Sequence, residues 1–399
     1  MPLHIVTVCG PLRMEGVAMK FSRIRFISLA LVLMGGWLPL AAQSEVIFEE
    51  DFDDLDDWTS SRYTDKTYQA VWFGDLLPGE WDSHYQAGYY DPPSAHDSLE
   101  ILAKNSDKAR GSIGKSAVNW REHHINNNYP NEWKSNSALG IYLDKFGDGF
   151  EQLYVEFWIS FDQNWTSSQA SSKVFRVFSW DEVGEFWQGF QGGAQGPVLF
   201  WDYAFSENYG VRNKLAFRGG PHGENYTMTD DDVGGLPRGL NGLGDLSANF
   251  TDDLKGATSE GDAVMYDILS GSPLQSSGTI SHQQIFGPHG TWTKLAFFVK
   301  MNSSPGVQDG VFRQWINDNL VIESDKVKWV GENPENKMVK WNVVAIGGND
   351  YWINGGYSNS EQREEWYAID DIVISTEELA SGAAQKGSAP NPPVSVTIK

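Results

Sequence analysis

An all-β chain, a β-jelly-roll sandwich of two antiparallel sheets, is what the sequence predicts, and three observations carry that prediction. Short runs rich in β-branched and aromatic residues recur between clusters of Gly, Asn, Asp and Ser. No stretch offers a long apolar period of 3.6 residues, the mark of an amphipathic helix. From about residue 46 to 376 neither a clear linker nor an internal repeat interrupts the pattern, so about a dozen strands belong to one domain.

The runs follow in order. "EVIFEEDF" opens the domain and "SLEILA" and "ALGIYL" continue it, each short and bounded by turn-forming residues. "EQLYVEFWISF", "KVFRVFSW" and "PVLFWDYAF" follow, each rich in β-branched and aromatic residues. "NKLAFRG" stops at paired glycines, and "TKLAFFVKM" resumes after a long polar excursion. "GVFRQWI" and "NLVIES" are joined by a tight turn at Asn317-Asp318. "WNVVAIGG" and "WYAIDDIVIS" close the domain. In the hairpin Val311, Arg313, Trp315 and Asn317 share one side, while Phe312, Gln314 and Ile316 share the other. Neither side is plainly apolar or plainly polar, and the expectation is a sheet whose second face is a binding floor.

Three divisions are expected: an upstream segment plus secretory signal over 1–42, the β domain over 43–378, and a flexible linker or tail over 379–399. Lys20, Arg23 and Arg25 precede an apolar run from Phe26, and Leu40-Ala41-Ala42 offers a small-residue cleavage site. An uncleaved anchor is the alternative, but Gly35-Gly36 and Pro39 interrupt the run. The only cysteine, Cys9, lies upstream, so the mature domain has no disulfide. A bacterial secreted or periplasmic monomer fits these features.

A net charge of -23 repels nucleic acid and anionic membranes, and both are set aside as partners. An acidic substrate stays admissible if the scarce cations gather in one cleft. The chain holds 17 Trp, 15 Tyr and 21 Phe, and indoles pack on sugar C–H faces while still donating an N–H.

At "GTWTKLAFFVKMNSSPGVQDGVFRQWINDNLVIES" the sequence resembles the hairpin of concanavalin A-like jelly rolls (the lectin/glucanase type), and in particular polysaccharide lyases of the alginate and glucuronan lyase type. "EQLYVEFWISFDQNW", followed by "SSKVFRVFSW", resembles that group's paired strands, the second bearing a lysine, and "WYAIDDIVIS" resembles the last strand of such domains. The resemblance implies an anionic polysaccharide as partner and cleavage by β-elimination. It departs from the pattern where Lys173 runs into Val174-Phe175-Arg176 instead of a Pro-Gly turn, and where two alternating tyrosines are expected but Trp201-Asp202-Tyr203 stands. The glycosidase branch of the fold carries paired acids on one strand; Asp181, Glu182 and Glu185 have the wrong spacing for it.

β-Elimination of a uronate needs a group that neutralises the carboxylate, a base for the C5 proton and an acid for the leaving oxygen. Lys173, Arg176, Tyr203, Arg218, His222 and Tyr226 are the catalytic candidates. Strict alternation puts Lys173 and Arg176 on opposite faces, so both reach one cleft only if the strand bulges. Trp180, Trp201, Arg313, Gln314, Trp315, Tyr351 and Trp352 are the candidates for substrate contact, and loops 219–290 and 347–365 are expected to wall the cleft. Each has a plainer reading: core packing for the strand residues, a solvated loop for His222, an outward face for Arg313 and Trp315. Glu50, Asp51 and Asp371, on first and last strands that are often adjacent, are candidates for a structural Ca2+. Two rivals remain beside the lyase: a non-catalytic, lectin-like carbohydrate-binding module and a glycoside hydrolase of the same fold.

Overall fold

The structure, a computed structural model, describes residues 45–62, 69–72, 76–86, 95–123, 133–165, 170–182, 195–206, 210–222, 228–229, 231–234, 250–254, 267–272, 274, 279–352 and 363–379. All belong to the compact unit Ser44–Lys399; the other unit, Met1–Gln43, contains Cys9 and the expected signal and lies outside the described residues.

The strands among the described residues are, in chain order, β1 (Val46–Glu50), β2 (Trp58–Thr59), β3 (Gln69–Trp72), β4 (Ser83–Gln86), β5 (Leu99–Ile101), β6 (Ala117–His123), β7 (Trp133–Tyr142), β8 (Gln152–Phe161) and β9 (Ala170–Trp180). They continue with β10 (Gln195–Ser206), β11 (Gly210–Arg218), β12 (Val233–Gly234), β13 (Phe250–Leu254), β14 (Trp292–Lys300), β15 (Gly310–Ile316), β16 (Asn319–Val327), β17 (Val343–Trp352) and β18 (Arg363–Ser375). One short helix, α1 (His282–Phe286), precedes β14. The first sheet runs β12-β16-β15-β14-β8-β18-β6-β5-β2, with β1 also paired to β18; the second runs β13-β11-β10-β9-β17-β7-β4-β3. The strand pairings are antiparallel, as the sequence predicts.

The two sheets meet over one apolar interior. Phe157, Phe175, Phe297 and Trp201 interlock there, with Phe175 and Phe297 stacked at 4.7 Å. Much of the tryptophan supply goes to this interior: Trp58, Trp201, Trp329 and Trp341 are fully buried. Alternation along each strand sends every second side chain into it.

The β15–β16 hairpin answers the puzzle its sequence sets. Asn317 and Asp318 take positive φ of 47° and 63°, the pair of left-handed residues that a two-residue turn requires. Gln314, expected at a binding floor, instead points into the interior, because Phe312 and Ile316 on its side are core residues. Its amide exchanges two hydrogen bonds with Asn213, at 2.7 and 2.9 Å, and so ties β15 to β11 across the sandwich. A buried amide is tolerable only when matched this way. Arg313 and Trp315, expected in the cleft, lie on the outer face of the first sheet. Arg313 stands over the Phe298 ring at 5.6 Å and pairs with Glu323 and Glu378, and Trp315 packs edge-on to Tyr154 at 5.9 Å.

The strands expected to hold a cation do pair, Glu50 opposite Ile372. The three acids engage different partners. Glu50 accepts the Phe52 N–H at 2.7 Å, Asp51 accepts the Asp53 N–H at 3.1 Å, and Asp371 pairs with the Arg110 guanidinium. No group of three or more His, Cys, Asp or Glu is placed to hold a metal among the described residues. A Ca2+ shell needs several hard oxygens at once, and Glu50, Asp51 and Asp371 each have a separate partner here.

Candidate active site

β9 lies at the middle of the second sheet, between β10 and β17. Phe175 and Val177 point into the interior, so Arg176, Phe178 and Trp180 point outward. Regular alternation would turn Lys173 inward. The register shows why it does not: Trp201 faces Phe175, but the next residue, Asp202, faces Lys173. Val174 is the extra residue of a β-bulge, and both Val174 and Phe175 join the interior. Lys173 is thereby returned to the face that carries Arg176.

The neighbouring strands complete that face. β10 turns Leu199, Trp201 and Tyr203 inward and Phe200 and Asp202 outward; β11 turns Asn213, Leu215 and Phe217 inward and Lys214 and Arg218 outward. Lys214, Asp202 and Lys173 stand side by side on three successive strands, with Lys214 Nζ 3.3 Å from Asp202 Oδ2. One step along, the guanidinium carbons of Arg176 and Arg218 lie 5.0 and 4.7 Å from the centroid of the Phe200 ring. An aromatic face between two cations offsets part of their repulsion. On the other flank β17 contributes no side chain at Gly347 and Gly348, whose φ values are +77° and +154°. A Cβ on Gly348 would stand 2.6 Å from the Lys173 carbonyl oxygen and 3.4 Å from Arg176 Nη2. Only glycine lets β17 pass there.

Burial sharpens the electrostatics. Arg176 is 6% exposed, Arg218 5% and Asp202 3%. Burial lowers the Lys173 ammonium to about 7; Asp202 works against this, while Arg176, Arg218 and Lys214 add to it. Arg218 is lowered to about 9 by burial and by Arg176, with Asp202 opposing, and keeps its charge at neutral pH. The face thus offers two fixed guanidinium charges beside an amine that exchanges its proton near neutrality.

At the end of the face marked by Trp180, that indole packs edge-on to Tyr142 at 5.7 Å. The Tyr142 hydroxyl donates to Asp144 at 2.5 Å and meets Glu182; burial and the two carboxylates raise its pKa, so the phenol stays protonated. His222 Nδ1 lies 3.3 Å from Asp181 Oδ2, and burial lowers the imidazole to about 4 despite Asp181.

Of the residues expected here, the structure brings Lys173, Arg176 and Arg218 together and puts Trp180 and His222 beyond them. Tyr203 and Trp201 are corrections. Tyr203 is 2% exposed inside the sandwich, its ring 5.0 Å from Phe161 and its hydroxyl 3.2 Å from His282 Nδ1. Trp201 is 0% exposed, and its indole N–H donates to Asn213. The physical reason is one step of parity: on β10 the outward residues are Phe200 and Asp202. Tyr226 lies outside the described residues, as do much of loop 219–290, residues 353–362, and the side chains of Tyr351 and Trp352. Asp202, Lys214, Phe200, Tyr142 and the Gly347-Gly348 step were not singled out from sequence. "PVLFWDYAF" is apolar on both parities, so alternation alone does not say which set faces out.

No protein-family model matches the chain, and no curated protein matches it. Among solved structures it is similar to the alginate lyase Aly36B, as a mutant in complex with an alginate tetrasaccharide, at 13% identity over 82% of this chain and 98% of that one, with a TM-score of 0.40. It is similar to the endo-β-1,4-glucuronan lyase of the fungus Trichoderma reesei at 10% identity over 78% and 94%, with a TM-score of 0.40. A third is the PL-14 alginate lyase of Aplysia kurodai, at 7% identity over 69% and 86%, with a TM-score of 0.39. Likeness at this level concerns strand layout and carries no argument about chemistry.

Proposed function

We propose that this chain is an exported polysaccharide lyase that cleaves a uronate-containing polysaccharide by β-elimination on the outer face of β9, β10 and β11. The observation that supports this reading is the bulge at Val174, which sets Lys173 beside Arg176 and Arg218 in a chain of net charge -23. Scarce cations gathered on one buried face suit an anionic ligand.

The chemistry follows from the residues present. Arg176 and Arg218 pair with the uronate carboxylate and take up the charge that builds on it as the C5–H bond breaks. The Lys173 amine takes the C5 proton. The electron pair forms the C4–C5 double bond, the C4–O bond breaks, and the departing oxygen takes the proton back from the Lys173 ammonium. One group serves both steps when the proton and the leaving oxygen lie on one side of the ring, and a group titrating near 7 is suited to each.

Incubation of the mature domain with alginate, glucuronan, ulvan and pectin tests the proposal. Alginate and glucuronan come first because the similar structures carry those names. New unsaturated ends, read by ultraviolet absorbance, are the expected result. Retention on an immobilised polysaccharide without turnover would instead favour the non-catalytic binding module.

A further inference from the structure

Asp202 takes no part in the steps above, yet it is placed to govern them. It sits on the β10 register between two amines, Lys173 on β9 and Lys214 on β11, and is almost wholly buried. Lys214 Nζ takes one carboxylate oxygen at 3.3 Å. Among the charges that act on Lys173, Asp202 has the largest effect; Arg176 on its own strand and Arg218 and Lys214 on β11 oppose it. On the β17 flank, Gly347 and Gly348 bring no side chain at all. Asp202 thus stands in register between two amines in a patch where water screens little, and its charge has a large effect on Lys173.

We propose that Asp202 is a positioning residue that sets the charge on Lys173, and with it the pH range over which Lys173 exchanges a proton with bound substrate. The catalytic half of this statement rests on the lyase reading; the charge-setting half does not. Asp202 favours the ammonium, which holds a proton ready for the leaving oxygen. Burial and the three cations favour the amine, which accepts the C5 proton. Lys214 competes with Lys173 for the same carboxylate.

Two substitutions should act in opposite directions. Asp202→Asn removes the acid but keeps the shape, so Lys173 should lose its proton at lower pH. The acid limb of kcat/KM should then move down, and a one-unit shift raises the fraction of plateau rate on that limb about tenfold. Lys214→Gln removes a rival cation on a partly exposed side chain, and should move the limb up. A mere structural role predicts loss of rate in both without a shift of opposite sign.

The decisive measurement reads Lys173 directly. The pH dependence of its modification by fluorodinitrobenzene, quantified by peptide mass spectrometry, is compared in the wild type, Asp202→Asn and Lys214→Gln. Midpoints displaced to lower and higher pH respectively support the proposal. Unmoved midpoints, or displacement in the same direction, overturn it. If Asp202→Asn does not fold, the upward shift in Lys214→Gln decides alone. Displaced midpoints without cleavage of any uronate polymer would defeat the lyase reading and leave the charge-setting role standing; cleavage with unmoved midpoints would do the reverse.

Discussion

Arg176 and Tyr203 sit on adjacent strands and carry equal weight as catalytic candidates in the sequence, yet the structure assigns them different physics. Arg176 lies on the outward face against Phe200, with Arg218 on the same ring. Replacing it with Ala removes half of the charge that meets a uronate carboxylate. The expected loss in kcat/KM is about 10²–10³-fold, the usual effect of deleting one preorganised donor. Because Arg176 faces away from the interior, urea titration should show a fold still intact. Tyr203→Phe should do the opposite. It deletes the hydroxyl near His282 and keeps the ring against Phe161, so stability should fall by about 1 kcal/mol while turnover stays at the wild-type rate. Equal loss of turnover in the two variants would put the site on the wrong face of β10.

A strand's faces are decided by one residue of register, and β9 shows the consequence. Val174 is the residue that the bulge adds, so deleting it restores plain alternation with Lys173 still opposite Asp202 on the outer face. The deletion should lower stability through the loss of a buried valine and should leave much of the turnover in place. Thermal midpoint and turnover measured together check this: a folded deletion variant without turnover would mean that this register does not hold Lys173 on the outer face. The same strand marks the limit of what sequence reveals. The two-sheet architecture was legible because alternation, turn residues and the missing helical period all agree, and the Asn317-Asp318 turn was plain from residue type. The site was half legible. Lys173 and Arg176 stood out as cations in an acidic chain, but a bulge is an agreement between two strands far apart in sequence, which no single run displays. Gln314 misled for a related reason: its partner Asn213 belongs to the opposite sheet, 101 residues away. The calcium expectation rested on strand adjacency, which does not specify side-chain direction.

At the scale of the whole molecule, buried bases and net charge set the working range. His84, His222 and His282 are lowered to about 3, 4 and 3 chiefly by burial, so the folded state holds them neutral where the unfolded chain protonates them. With folded values below unfolded ones, the stability they lend is complete above about pH 6.5 and is lost as pH falls toward 3. Each histidine should cost on the order of 1 kcal/mol per pH unit over that interval. Urea midpoints measured between pH 7 and 4 should fall steeply, and His84→Asn should flatten the slope. Charge makes a separate demand. A protein of net charge -23 repels the anionic polymer it is proposed to cleave, while the guanidiniums of Arg176 and Arg218 attract it at close range. The repulsion acts over the whole surface through water and is screened within about 10 Å at 0.1 M salt; the buried contact is screened far less. Salt should therefore raise kcat/KM from very low ionic strength and then leave it level, in contrast to the steady decline that an exposed basic surface would give. A monotonic fall from the lowest salt onward would mean that the polymer is gripped by solvent-exposed cations and not on the buried face of β9, β10 and β11.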